Sequence, residues 1–336
     1  MTIRATGIGS MPGDDFVDST QTVLGEVGEL PHLVELPARG VHAAMIGRTL
    51  ALVSDLGADL QPAGWRLVDA PGIDHRRARS LLAQDLDRLE ELVGGHHGDF
   101  KVQVVGPWTL AAAVERPRGD KVLGDHGARR DLGQALAEGL RAHVVDVQRR
   151  LPGASLLVQI DEPALPAVLA GAVPTISGFH RLRSVTAAEA AAALDWVCDA
   201  VTDAGATPVL HCCADELPWP LLAQTRVQAV SFDLSRQPRS SYDDLAGWVD
   251  GGRQVWVGAI PSVEPGGTEV ADTEVTRTVL AWWSKLGYTD PESVPGYVVT
   301  PACGLAAASP SWARHALGLT RRVAHNLSEV HGRIEP

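Results

Sequence analysis

The sequence predicts an α/β fold of the (β/α)8 TIM-barrel type, with residues 1–336 forming a single domain. Three observations predict it. Eight short runs rich in Val, Ile and Leu recur along the chain, and longer alanine- and charge-rich stretches with helical periodicity separate them. No domain-sized gap or low-complexity linker interrupts the alternation. Nearly every apolar run ends in a polar or metal-binding residue, as expected of a barrel whose chemistry sits at the C-terminal ends of its strands. An open doubly wound sheet is the main rival, but no G-x-G-x-x-G follows the first run.

In order, the expected strands are residues 6–10 ("TGIGS"), 32–36 ("HLVEL"), 101–107 ("KVQVVGP"), 155–163 ("SLLVQIDEP"), 207–213 ("TPVLHCC"), 229–235 ("AVSFDLS"), 254–260 ("QVWVGAI") and 296–305 ("GYVVTPACGL"). The expected helices cover 41–56, 77–93, 128–149, 186–204, 240–250, 272–286 and 311–331. The clearest is 186–204: Thr186 is placed to cap it, Glu189 follows three residues on, and Gly205 ends it. The tryptophan pair at 282–283 is expected to pack its helix onto the barrel.

Composition narrows the function. The net charge is −12 and the pI about 5.4, without a basic run interleaved with aromatics, so nucleic acid and anionic membrane are poor partners. The N-terminal stretch lacks the apolar core of a signal peptide, and no apolar run is long enough to span a bilayer. Four cysteines are too few for a disulfide framework in a chain of this length. A cytoplasmic protein with reduced thiols is expected.

The strand ends carry the chemistry. His211 and Cys213 are two apart, so on a strand they project to one face while Cys212 projects to the other. An imidazole and a thiolate on one face suit a borderline-soft ion such as Zn²⁺, with Cys303 at the last strand's end as a third ligand. Cys198 and Cys212 are expected to pack in the core. Asp233 offers an oxygen ligand, an orienting partner for His211, or a loop cap. Asp161 and Glu162 are adjacent and point oppositely on a strand: one is expected to face the mouth and bind an ammonium group, and the other to cap a following segment. Ser10, after a glycine-rich turn, and Glu35 are further candidates for binding substrate.

These motifs, in order along almost the whole chain, resemble the catalytic C-terminal half of the cobalamin-independent methionine synthase family: "IGSMPG", "VVGPWTL", "QIDEPAL", "HCC", "VSFDLS" and "TPACGL". The resemblance implies a (β/α)8 barrel, a zinc cofactor and methyl transfer to a thiol, with homocysteine or a similar small thiol as acceptor. His211, Cys213 and Cys303 match the family's zinc ligands. Asp233 stands where the family's fourth ligand is a glutamate. Asp161 matches the aspartate that holds the amino group of homocysteine, Ser10 the serine at its carboxylate, and Glu35 another amino-acid-binding glutamate. Glu162, beside Asp161, is assigned to substrate binding, and catalysis is expected to rest on Asp161 and His211. Three departures follow: the aspartate at 233, the lack of a histidine in "VGAIPSVEP", and the lack of the N-terminal barrel that helps bind polyglutamylated folate. The donor expected is therefore a methyl-corrinoid, free or protein-bound, or another small alkyl donor. Two competing readings are a metal-free lyase or decarboxylase of the uroporphyrinogen decarboxylase-like type, and a homologue that binds zinc or amino acids without catalysis.

Overall fold

The computed structural model describes residues 3–266, 270–289, 294 and 296–329. Its strands are β1 (Arg4–Ala5), β2 (Gly57–Gln61), β3 (Gly64–Val68), β4 (Gly98–Val105), β5 (Ala154–Asp161), β6 (Thr207–Cys212), β7 (Ala229–Asp233), β8 (Gln254–Ile260) and β9 (Val298–Pro301). Seven of them form one parallel, curled sheet in the order β1-β9-β8-β7-β6-β5-β4, while β2 and β3 make a separate antiparallel hairpin. The helices are α1 (Phe16–Val27), α2 (Met45–Leu50), α3 (Ile73–Val93), α4 (Pro107–Ala113), α5 (His126–Arg150), α6 (Leu165–Leu169), α7 (Ala187–Asp203), α8 (Trp219–Leu222), α9 (Tyr242–Asp250), α10 (Asp272–Lys285) and α11 (Pro310–Glu329). The last residues of the expected helix 311–331 lie outside the described residues. The architecture is α/β and TIM-barrel-like.

Between the sheet's two edges runs the segment expected as the second strand. It forms no ladder, only isolated bridges of His32 with Lys101 and of Glu35 with Ser10. Leu33 N–H donates to Lys101 O (2.8 Å) and Met11 N–H to Glu35 O (2.9 Å). The expected first strand, 6–10, likewise forms no ladder: β1 is Arg4–Ala5, just before it, with Thr6 N–H still reaching Val299 O at 3.2 Å. The reason is space. A Cβ on Gly7 would lie 2.3 Å from His32 Cε1, and one on Gly9 2.6 Å from Gln103 Cδ. This stretch lies close against side chains of neighbouring segments, and its backbone pairing is reduced to scattered hydrogen bonds.

Two other expectations change. Residues 41–56 yield only the six-residue α2, because the chain turns at residues 51–56 into the β2–β3 hairpin, whose turn at Gly64 (φ +135°) follows Pro62. The helix α1 was not expected: its Ser, Thr and Gly content is unfavourable. Asp15 offsets this by accepting hydrogen bonds from Val17 and Asp18 N–H as its cap.

The interior of the sheet is layered. Leu30, Leu157, Val209, Ala229, Trp256 and Val298 form a small apolar cluster of their own, separate from the larger core between sheet and helices. Burying each large side chain there stabilises the fold by about 1.5–3 kcal/mol. Two residues further along the strands come Gln159 after Leu157, His211 after Val209, Ser231 after Ala229 and Thr300 after Val298, all buried and all polar. An apolar plug thus closes one end of the interior, and a polar layer sits above it, toward the strands' C-terminal ends. Trp282 and Trp283 are buried on α10, with the Trp283 ring 5.2 Å from those of Tyr288 and Tyr297.

Candidate metal and amino-acid site

Strand β6 carries His211 into the polar layer between Asp161 of β5 and Ser231 of β7, its direct partners in the two ladders. Its Nδ1 lies 2.9 Å from Ser231 Oγ, while Nε2 is buried without a hydrogen-bond partner among the described residues. One side of the ring is anchored and the other left open. His211 forms a group with Cys213 and Cys303, with one ligand atom from each residue lying within 4.8 Å of the others. The two sulfurs are 2.8 Å apart, and both cysteines are free thiols. Donation from the Cys213 thiol pulls Cys303 down to about 4, helped by His211 and the Gly304 N–H, whereas the same contact and burial push Cys213 up. Two sulfurs and an imidazole nitrogen with no other partner fit a tetrahedral N/S ion such as Zn²⁺.

Asp233 is not part of this group. Its Oδ1 accepts from Ser235 N–H (2.9 Å) and Ser235 Oγ (2.7 Å), and Oδ2 lies 3.4 Å from Arg236 Nε. A side chain one methylene shorter than glutamate is drawn back to cap the turn that follows β7. Of the three roles expected of Asp233, this contact is the loop cap, and the group found among the described residues has three members.

Glu162 is also placed differently from the substrate-binding role expected of it. It is fully buried and faces away from the mouth: Oε1 accepts from Trp108 N–H (2.9 Å), and Oε2 from Thr109 N–H and Thr109 Oγ1 (2.7 Å each). These are the first amides of α4, which have no partners inside their own helix. A Cβ on Gly106 would lie 2.3 Å from Glu162 Oε1, so "VGPWTL" and "DEP" are two halves of one joint: glycine makes room for the carboxylate that caps the helix. Burial raises Glu162 to about 7 against these hydrogen bonds.

Asp161, on the opposite side of the chain from Glu162, faces the interior at 7% exposure. Its Oδ1 accepts from Gln159 Nε2 at 2.7 Å, and its other oxygen has no hydrogen-bond partner among the described residues. Burial raises it to about 7, while the nearby His211 opposes the shift. Glu35 is buried, with Oε1 3.5 Å from Arg48 Nε. Arg48 in turn donates to Asp85 Oδ2 at 2.6 Å, a carboxylate also gripped by both Nη atoms of Arg39. Ser10 packs on the cysteine loop: a Cβ on Gly304 would lie 2.1 Å from Ser10 Oγ, and Leu305 N–H donates to Ser10 O at 2.9 Å. The glycine of "ACGL" therefore lets the serine approach the residue next to Cys303.

Sequence reasoning missed the polar layer itself: His32, Lys101, Gln103, Gln159, Ser231 and Thr300, every one buried. The signal was there, as polar residues at alternate positions of otherwise aliphatic strands ("KVQVV", "LVQID", "VSFD"). Cys198 and Cys212 lie in the main hydrophobic core, and burial raises the Cys212 thiol to about 12. Trp108 and Trp219, which had no position in the sequence reading, are core residues, and Trp108 Nε1 donates to Ala190 O at 3.0 Å. Among the described residues no helix is long and apolar enough to cross a membrane.

Comparison with solved structures finds similarity to a B12-independent methionine synthase from Shewanella sp. W3-18-1 in complex with selenomethionine, at TM-score 0.64 and 11% identity, over 99% of this chain and 100% of that one. A D-tagatose 3-epimerase-like protein (TM-score 0.34, 12% identity, 74% of this chain and 81% of that one) is more distant. So is a xylose isomerase-like TIM barrel/4-hydroxyphenylpyruvate dioxygenase fusion protein (TM-score 0.33, 14% identity, 75% and 43%). No curated protein matches the sequence. The family described as "Cobalamin-independent synthase, Catalytic domain" matches residues 104–326, which include Asp161, His211, Cys213 and Cys303. With that match spanning more than half of its length, the chain belongs to the cobalamin-independent synthase catalytic-domain family.

Proposed function

We propose that this protein is a zinc-dependent S-methyltransferase that methylates a small amino-acid thiol of the homocysteine type, and that all 336 residues form one catalytic barrel, with residues 32–36 as its eighth stave. The observation that carries this reading is the group of His211, Cys213 and Cys303, whose ligand atoms lie within 4.8 Å of one another while the imidazole keeps one nitrogen without a hydrogen-bond partner. Family membership and the likeness to a methionine synthase structure support it.

His211, Cys213 and Cys303 would hold the ion, and Ser231 would fix the imidazole so that Nε2 stays turned toward the sulfurs. When bound, zinc deprotonates a coordinated thiol, which is otherwise mostly protonated at neutral pH and a poor nucleophile. The chain's own residues supply alignment. The free oxygen of Asp161 takes the substrate's ammonium group, with Glu35 as the second acid nearby, and Ser10 donates to its carboxylate. With both ends held, the sulfur faces the methyl carbon in line with the leaving group, and positioning of this kind removes much of the entropic barrier. The reading extends to a small-molecule methyl donor, while no feature of the described residues favours the corrinoid expected from the sequence. It also places the protein in the cytoplasm.

The test is metal content and ligand exchange. The purified protein is expected to hold about one zinc per chain and Cys303→Ser less than about a fifth of that, as loss of one of three protein ligands implies. Homocysteine added to the zinc form should increase the sulfur coordination seen by X-ray absorption. A metal-free protein indifferent to Cys303→Ser would favour the lyase reading, and bound zinc without a sulfur shift would favour the non-catalytic one.

A further inference from the structure

Beneath the amino-acid side of the site lies a buried hydrogen-bond node that the proposed chemistry does not use. The carbonyl oxygen of Ile8 accepts from two side chains at once, Lys101 Nζ at 2.8 Å and Gln159 Nε2 at 2.9 Å. Both donors have no exposed surface. The same Gln159 nitrogen donates to Asp161 Oδ1 at 2.7 Å. Acceptors on both sides of this one atom fix it as the amide nitrogen and leave no freedom to flip. Lys101 also donates to Gln103 Oε1 at 3.3 Å, and Gln103 Nε2 donates to Leu33 O at 2.8 Å.

Lys101 is expensive where it stands. A fully buried ammonium costs several kcal/mol, and no carboxylate lies within ion-pairing distance of it among the described residues. A methionine would fill the same space at lower cost, so packing does not account for a lysine. What it does is hold a segment without a ladder. Residues 6–10 make only isolated contacts with their neighbours, and Gly7 and Gly9 bring the backbone flat against His32 and Gln103. Backbone bonds hold Thr6 (to Val299 O), Gly9 O (from Glu35 N–H) and Ser10 O (from Leu305 N–H), while the Ile8 carbonyl between them is gripped by the two side chains, two residues before Ser10. The charges of Asp161 and Glu35 stabilise the ammonium from above, against the burial that lowers it to about 7.

We propose that Gln159 and Lys101 are positioning residues of the amino-acid subsite, which set the open oxygen of Asp161 and the hydroxyl of Ser10 at a fixed separation through their shared grip on the Ile8 carbonyl. The assignment rests on reading the site as one for an amino-acid thiol. Gln159 acts on the ammonium end: it occupies one oxygen of Asp161 and turns the other to the mouth. Lys101 acts on the carboxylate end, by holding the segment that presents Ser10. Together they make the subsite specific for a thiol that bears both groups, because a ligand lacking one gains nothing from the corresponding anchor.

The experiment is calorimetric binding of three thiols to the zinc-loaded full chain: homocysteine, 4-mercaptobutanoate (no ammonium) and 3-aminopropane-1-thiol (no carboxylate). Gln159→Met is expected to weaken homocysteine and the aminothiol about 10-fold, roughly 1.4 kcal/mol, while 4-mercaptobutanoate changes less than about 3-fold. Lys101→Met is expected to give the crossed pattern, weakening homocysteine and 4-mercaptobutanoate and sparing the aminothiol. Zinc content stays at the wild-type level in both. Gln159→Asn, an amide drawn back by one methylene, serves as the milder variant should Gln159→Met not fold, with the same pattern in smaller degree. Equal losses for all three thiols, or loss of zinc, would show a merely structural role, and unchanged homocysteine affinity would show none; either overturns the assignment. A wild-type protein that holds zinc and binds none of the three thiols overturns the amino-acid-thiol reading first, and this assignment with it.

Discussion

The two halves of the site are built by different means. The metal half stands on regular pairing: His211 sits inside the β5–β6–β7 ladders with one anchoring contact, to Ser231, while Cys213 directly follows β6 and Cys303 lies just past the end of β9, after Ala302. The amino-acid half joins Asp161, which is paired on both sides in the β4–β5–β6 ladders, to Ser10 and Glu35, where pairing thins to an isolated bridge. There side chains take over from the backbone: Lys101 and Gln159 on Ile8 O, Gln103 on Leu33 O, Arg48 on Glu35. A soft-metal site tolerates this economy because the ion itself organises its ligands. A site for a zwitterion has no such organiser and must be assembled beforehand from buried polar groups, each of which needs a partner.

That contrast can be broken or sharpened by substitution. The largest effect is expected in the amino-acid half. Gly7→Ala would push a methyl group to 2.3 Å from the fully buried His32 ring, and overpacking of this kind costs about 1–3 kcal/mol. Urea unfolding of the metal-loaded protein checks it, and an unchanged midpoint would mean that the segment is not held flat after all. An effect of similar size but on metal affinity, not on folding, is expected in the metal half. Ser231→Ala removes the anchor on His211 Nδ1 and should weaken zinc about 10–100-fold in chelator competition, with little change in the stability of the metal-free chain. Equal zinc affinity would show that the ladder alone orients the ring. The smallest effect is expected from Asp233→Asn. The amide still accepts from Ser235, so zinc affinity should stay within about 2-fold, as for a surface-side cap. A large loss would return Asp233 to the ligand shell.

Much of the metal half was legible in the sequence. Period-two spacing put His211 and Cys213 on one face of a strand, and the strand-end rule added Cys303. The assignments that changed, Asp233 and Glu162, both concern carboxylates adjacent to a turn, where a backbone amide two or more residues away competes for the oxygen and sequence spacing does not say which acceptor wins. The helix α1 was obscured by its own composition, and the β2–β3 hairpin by an expected helix running into it.

The sequence by itself determined six of the seven strands of the parallel sheet and the soft donor set at two strand ends, because alternating apolar runs and the two-residue repeat of a β-strand are local properties. Tertiary structure alone decided that Gln159 and Lys101 meet at Ile8 O, that Glu162 caps α4 across 54 residues of chain, and that Gly7, Gly9, Gly106 and Gly304 are clearances for particular side chains. Those facts depend on which segments become neighbours when the sheet curls. A glycine or a buried amide carries no record in the sequence of the atom it is placed to meet.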